Sequence, residues 1–165
     1  MNRIIGGIAA AAWVMAAPAS AEVIDKVTAA QLEAALEEAG LSPEMLEDAG
    51  SGAPVARGAA GEFTFWVRAV DCSGRPPACE NLIFFANFDL GRTATAQDFR
   101  IANSFKDSQV FGRAYVLESH NQVGVDYVIE LGGGVTEEHL AQNIGRWADV
   151  INAFVNKFRE GYSGS

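Results

Sequence analysis

Glu62-Phe63-Thr64-Phe65-Trp66-Val67-Arg68 and Asn81-Leu82-Ile83-Phe84-Phe85-Ala86-Asn87-Phe88 are the two stretches whose reading decides the fold. In the first, Phe63, Phe65 and Val67 alternate with Thr64, Trp66 and Arg68, the two-residue period of a strand. The second is β-rich with apolar residues at both parities. Between them, Ser73-Gly74-Arg75-Pro76-Pro77-Ala78 is turn-forming, and the chain's two cysteines, Cys72 and Cys79, bracket it. An antiparallel hairpin is predicted. A Cys72–Cys79 bridge would staple the base of its loop, a stabilisation of about 2–3 kcal/mol if it acts through chain entropy. The competing readings are a metal site and a redox pair. Zinc wants four ligands, and the two histidines, His120 and His139, stand isolated; redox pairs normally sit at C-x-x-C, which this spacing is not. A structural disulfide is expected.

Working outward, Thr28 with Gln31 forms a capping box, and Leu32, Ala35, Leu36 and Ala39 recur on one face until Gly40, which predicts a helix over 28–39. Residues 41–61 read two ways. Ser42-Pro43-Glu44 resembles a helix start, whereas Asp48-Ala49-Gly50-Ser51-Gly52 resembles a loop. Thr95 with Asp98 opens a middle helix in which Phe99, Ala102 and Phe105 share a face. Residues 111–118 and 123–131 are strands around the turn Ser119-His120-Asn121-Gln122, with Val123, Val125, Tyr127, Ile129 and Leu131 on one side. After Gly132-Gly133-Gly134, Thr136 caps a last helix whose apolar positions are Leu140, Ile144, Trp147, Ile151, Phe154 and Phe158. That stripe is too short for a coiled-coil seam and suits packing on a sheet. The element order predicts an α+β domain, an antiparallel sheet with its helices packed on it.

Residues 1–21 read as a signal peptide. Asn2-Arg3 supplies a short basic start, Ile4 to Ala17 carries no charge, and Ala19-Ser20-Ala21 is a small-x-small cleavage signature. A transmembrane anchor needs about 20 apolar residues, and this run is shorter and broken by Pro18. Residues 22–165 then form a single exported domain, periplasmic or secreted, with no stable membrane insertion once the leader is removed. Formal net charge is −9 for the whole chain. Arg3 is the leader's one charged residue, so the exported part carries −10, with 11 basic against 21 acidic residues. Scattered basic residues on an acidic chain argue against nucleic acid and anionic lipid surfaces as partners.

Leu32-Glu33-Ala34-Ala35-Leu36-Glu37-Glu38-Ala39-Gly40, Phe63-Thr64-Phe65-Trp66-Val67 leading to Cys72, and Phe84-Phe85-Ala86-Asn87-Phe88 carry a resemblance. Phe111-Gly112-Arg113-Ala114-Tyr115 and Gly133-Gly134-Val135-Thr136 leading to Trp147 complete it. On these residues the chain resembles the YbjN domain family, also called sensory transduction regulator-like, whose fold is similar to that of type III secretion chaperones. The resemblance implies the order α-β-β-β-β-α-β-β-α, with Glu44 to Leu46 pairing Pro54 to Arg57 as a short hairpin. It also implies a link to a stress or regulatory response and supplies no catalytic residues. The family often has a tryptophan before the asparagine of its middle helix; here Ala102 precedes Asn103.

No catalytic, cofactor or metal site is expected. His120 sits in a polar turn and His139 in the first turn of a helix, neither with a sequence context that nominates a catalytic partner. The glycine run before the last helix lacks the Lys-Ser/Thr of a phosphate loop. Asp25, Asp71, Asp89, Asp107 and Asp126 fall in loops or at strand edges without calcium-loop spacing. The expected function is that of an exported, non-enzymatic protein-binding or chaperone-like module; the alternative is a small-ligand receptor or an enzyme with an unrecognised pocket. If Phe63, Phe65 and Val67 face the helices, alternation turns Trp66 outward beside Thr64 and Arg68. Whichever of Phe84 or Phe85 also points outward adds a second aromatic to a site for a protein partner or for self-association, for instance as a homodimer. The rival reading is that the first helix or residues 41–61 cover this face.

Overall fold

The computed structural model describes residues 23–163, so the expected leader lies outside the described residues. In chain order the elements are β1 (Val23–Ile24), α1 (Ala29–Glu38), β2 (Glu44–Glu47), β3 (Pro54–Ala60), β4 (Phe63–Ser73) and β5 (Ala78–Asp89). There follow α2 (Ala96–Ser108), β6 (Arg113–Leu117), a 3-10 turn at Glu118–His120, β7 (Gln122–Glu130), β8 (Val135–Thr136) and α3 (Glu137–Ser163). Six strands form one antiparallel sheet in the order β2-β3-β4-β5-β7-β6, while β1 pairs with β8. None of the described helices is long and apolar enough to cross a membrane.

The predicted hairpin is β4–β5, with Cys72 directly opposite Cys79 and bonded to it. Its pleat sends Phe65, Val67 and Ala69 to the same face as Leu82, Phe84 and Ala86, and all six are buried. Val123, Val125 and Ile129 of β7 continue that face. The α3 stripe seals it. Trp147 is fully buried, with its ring 5.9 Å from those of both Phe65 and Phe84. About two turns along, Phe154 stacks on Phe88 at 5.5 Å and meets Phe105 edge-on at 5.8 Å. α1 adds Leu32 and Leu36 to the same core. On β3, Gly58 leaves room for the Phe65 ring, which a Cβ there would approach to 2.6 Å.

The hairpin implied for 41–61 is present as β2–β3, and the helix start at Ser42-Pro43 is not realised. Asp48 is the local reason. Its carboxylate accepts from the backbone N–H groups of Gly50 (3.2 Å) and Ser51 (3.0 Å) and from the Ser51 hydroxyl, closing a turn that competes with helix. The two-residue strands β1 and β8 have no periodicity to announce them. Asp126, expected in a loop or at a strand edge, instead sits inside β7 and is largely buried.

α2 lies beyond the β6 edge and also packs on α3. The expected buried face Phe99, Ala102 and Phe105 is partly corrected: the buried set is Asp98, Ile101, Ala102 and Phe105, and Phe99 is 41% exposed. Asp98 sets this rotation. Fully buried, its carboxylate takes a two-pronged pair from Arg92 (2.8 and 2.9 Å) and the Thr95 N–H (2.8 Å), and the Tyr162 hydroxyl at the end of α3 donates to it. Gln97 adds a bond to the Gly161 carbonyl at 3.1 Å. α2 is thereby tied at its first turn to the far end of α3.

Two outcomes follow for stability. Trp147→Ala should cost about 3–5 kcal/mol by urea unfolding. Trp147→Phe should cost much less, because the indole N–H has no acceptor among the described residues and its removal relieves an unsatisfied donor. Equal losses for the two variants would contradict this packing. For Asp98, the Arg92 guanidinium holds the carboxyl far below its ordinary range, against the opposing effect of burial. Its folded pKa is therefore depressed, and the stability it contributes is present above about pH 4 and lost as pH falls toward the folded value. Asp98→Asn should be less stable at neutral pH and converge on the wild type in acid; a gap that does not change with pH would refute the charged pair.

Candidate functional site: the outer sheet face

The face of the sheet turned away from α1 and α3 is organised by one line of register through all six strands. Glu44, Arg57, Trp66, Phe85, Asp126 and Arg113 stand opposite one another in that order. Arg57 pairs with Glu44 at 3.3 Å and lies 5.9 Å from the Trp66 ring centroid. Trp66 is the cross-strand neighbour of Phe85. On the far side, Arg113 grips Asp126 with two nitrogens, at 3.1 and 2.5 Å. The row is thus an aromatic pair flanked by two ion pairs. The adjacent row is Leu46, Val55, Arg68, Ile83 and Val128, with Val128 49% exposed.

Trp66 accordingly faces away from the core, half-buried beside Arg57. Of the two candidate phenylalanines, Phe85 is the outward one. Phe84 is fully buried against Phe65 and Trp147, so it leaves the candidate surface; the pleat permits only one parity on each face. The β2–β3 hairpin extends this face rather than covering it, and α1 packs on the opposite side.

Beside the aromatic pair, α2 rises past β6 and makes a wall. Between this wall and the sheet runs an open groove of about 680 Å³, with Ile83, Phe85 and Tyr115 against Phe99, Asn103 and Lys106. Its floor depends on Gly124. A Cβ there would meet the Tyr115 ring at 2.5 Å and also strike Asn87 Oδ1, so glycine lets Tyr115 lie across β7 and donate to Asn87 at 2.6 Å. Burial, and secondarily the charge of Asp126, push the Tyr115 phenol up to about 12, so it stays a neutral donor at physiological pH.

The histidines lie elsewhere. His120 is on the exposed 3-10 turn, its Nδ1 3.0 Å from Ser119 Oγ; His139 is in the exposed first turn of α3; neither lines the groove. Among the described residues no group of three or more His, Cys, Asp or Glu could hold a metal ion.

This architecture can be set beside known proteins. The model of the YbjN family, "Putative bacterial sensory transduction regulator", matches residues 28–160. The chain belongs to the YbjN family. Its fold is similar to the crystal structure of YbjN from E. coli, described as "a putative transcription regulator", with 15% identity and a TM-score of 0.52 over 76% of this chain and 86% of that one. No curated protein matches the chain in sequence. The fold class read from the periodicities is therefore the YbjN fold, and the family is regulator-like by description.

Within this YbjN fold, strand reading found Trp66 and the Phe84/Phe85 choice but missed Tyr115, Val128 and the α2 wall. Val128 had a readable signal, being out of phase with Val125 and Ile129. Gly124, a glycine inside an apolar strand, marks a close approach in the same way. Gly124→Ala should displace Tyr115, cost about 1–3 kcal/mol by thermal or urea unfolding, and narrow the groove. An unchanged midpoint with an unchanged tyrosine environment by NMR would contradict this account of the floor.

Proposed function

We propose that this YbjN-family protein is an exported, non-enzymatic protein-binding module, regulatory or chaperone-like, that docks partners on the outer face of its sheet. The observation that carries the reading is the Trp66–Phe85 pair, two large aromatics placed side by side on the face opposite the core helices. An antiparallel sheet with one packed face ordinarily presents polar residues on the other. Here that face holds Trp66, Phe85, Ile83 and Val128, rimmed by Arg57, Arg68 and Arg113. Apolar patches with polar rims mark interaction sites, and tryptophan beside arginine is the composition of binding hot spots. Two of the polar groups along the groove are already engaged, Asp126 by Arg113 and the Tyr115 hydroxyl by Asn87, an arrangement suited to holding a partner. Export rests on the composition of residues 1–21, and the regulatory role on the family's description.

The test is a substitution at the centre of the patch. Trp66→Ser should abolish self-association in sedimentation equilibrium, or binding to a partner identified by site-specific photo-crosslinking at Val128. Its thermal midpoint should stay within about 4 °C of the wild type, the shift that 1 kcal/mol gives in a domain of this size. A large loss of stability with association intact would place Trp66 in the core instead.

A further inference from the structure

We infer that the groove between α2 and the outer sheet face receives an acidic, aromatic-bearing segment of a partner protein, its side chains seated on Phe85 and Phe99 and its carboxylates met by Arg68 and Lys106. The inference rests on the protein-binding reading above and names the partner's chemistry. Charge complementarity carries it. The chain as a whole is acidic, at −9, yet the groove is lined by Arg68, Lys106 and Arg113 against a single carboxylate, Asp126. Asp126 is already neutralised by Arg113, which leaves the other two cations in surplus.

Among the described residues neither Arg68 nor Lys106 is in an ion pair. Arg68 lies 5.8 Å from the Phe85 ring centroid, so a positive charge and an apolar seat are presented together. Asp48 is near enough to feel Arg68, but its carboxylate is committed to Ser51 and Gly50. On the opposite wall Phe99, the residue that the Asp98 anchor rotates out of the core, stands above Asn103 and Lys106. Basic residues beside exposed aromatics select a ligand that brings carboxylates and apolar side chains together. The groove is open and runs into the exposed Val128 row, which suits an extended segment passing through rather than a small molecule enclosed.

The test uses two fluorescein-labelled octapeptides in fluorescence anisotropy with the purified protein at low ionic strength, one of alternating Asp with Phe and Leu, the other of alternating Lys with Phe and Leu. The acidic peptide should bind and the lysine peptide should not. Arg68→Glu with Lys106→Glu should weaken the acidic peptide by at least about tenfold, and Phe99→Ser should weaken it too. Because all three side chains are solvent-facing, thermal midpoints should hold, and circular dichroism confirms folding before each titration. Equal binding of both peptides, or an acidic peptide indifferent to the charge reversals, overturns the inference. Displacement of the acidic peptide by dodecanoate, with dodecanoate itself binding more tightly and losing affinity in the same variants, also overturns it and makes the groove a site for anionic amphiphiles. If neither peptide binds while Trp66→Ser still abolishes partner association, the groove inference falls and the protein-binding reading stands; if Trp66→Ser leaves association intact, both fall.

Discussion

The pleat of the β4–β5 hairpin is the constraint on which the rest of the structure depends. Consecutive residues of a strand point to opposite faces, so Phe65 and Phe84 cannot face α3 without turning Trp66 and Phe85 away from it. A slip of one residue would exchange the two sets. Register is held at one end by the Cys72–Cys79 bond and along its length by Trp147, whose ring packs against both Phe65 and Phe84. Core and candidate surface are in this sense one decision, taken by a single alternation.

The second organising element is α2, which serves two faces at once. Phe105 and Ile101 belong to the core, while Phe99, Asn103 and Lys106 look onto the groove. The helix could have rolled to bury Phe99, at the expense of Asp98. The buried carboxylate fixes the roll, because it needs Arg92, Thr95 and Tyr162 to offset its desolvation. The two-pronged pairing of Arg92 with Asp98 is directional as well as stabilising, and here that geometry sets the orientation of a groove wall.

What could be read from the sequence follows from how local each cause is. Alternation within β4, the 4-3 spacing along α3 and the capping box at Thr28 are decided by residues a few positions apart, and they gave the hairpin, the core helix, α1 and the outward Trp66. The roll of α2 was misread at Phe99 because Asp98 is stabilised by Tyr162, far along the chain. Asp126 was misplaced for the same reason, its partner Arg113 being visible only once β6 and β7 are aligned. Phe85 rather than Phe84 could not be chosen from a run apolar at both parities; the register with β4 chose it.

The central claim is that the outer face, Trp66 included, is open in the isolated protein. The chain has three tryptophans, Trp13, Trp66 and Trp147. In a Trp13→Phe background, single-tryptophan variants that keep Trp66 or Trp147 separate the two faces by collisional quenching. Acrylamide should quench Trp66 and leave Trp147 nearly untouched, and iodide should quench Trp66 better than caesium does, because Arg57 and Arg68 flank it. Trp66 as protected as Trp147 from every quencher would contradict the account, placing that side chain inside the protein instead of on the surface it offers.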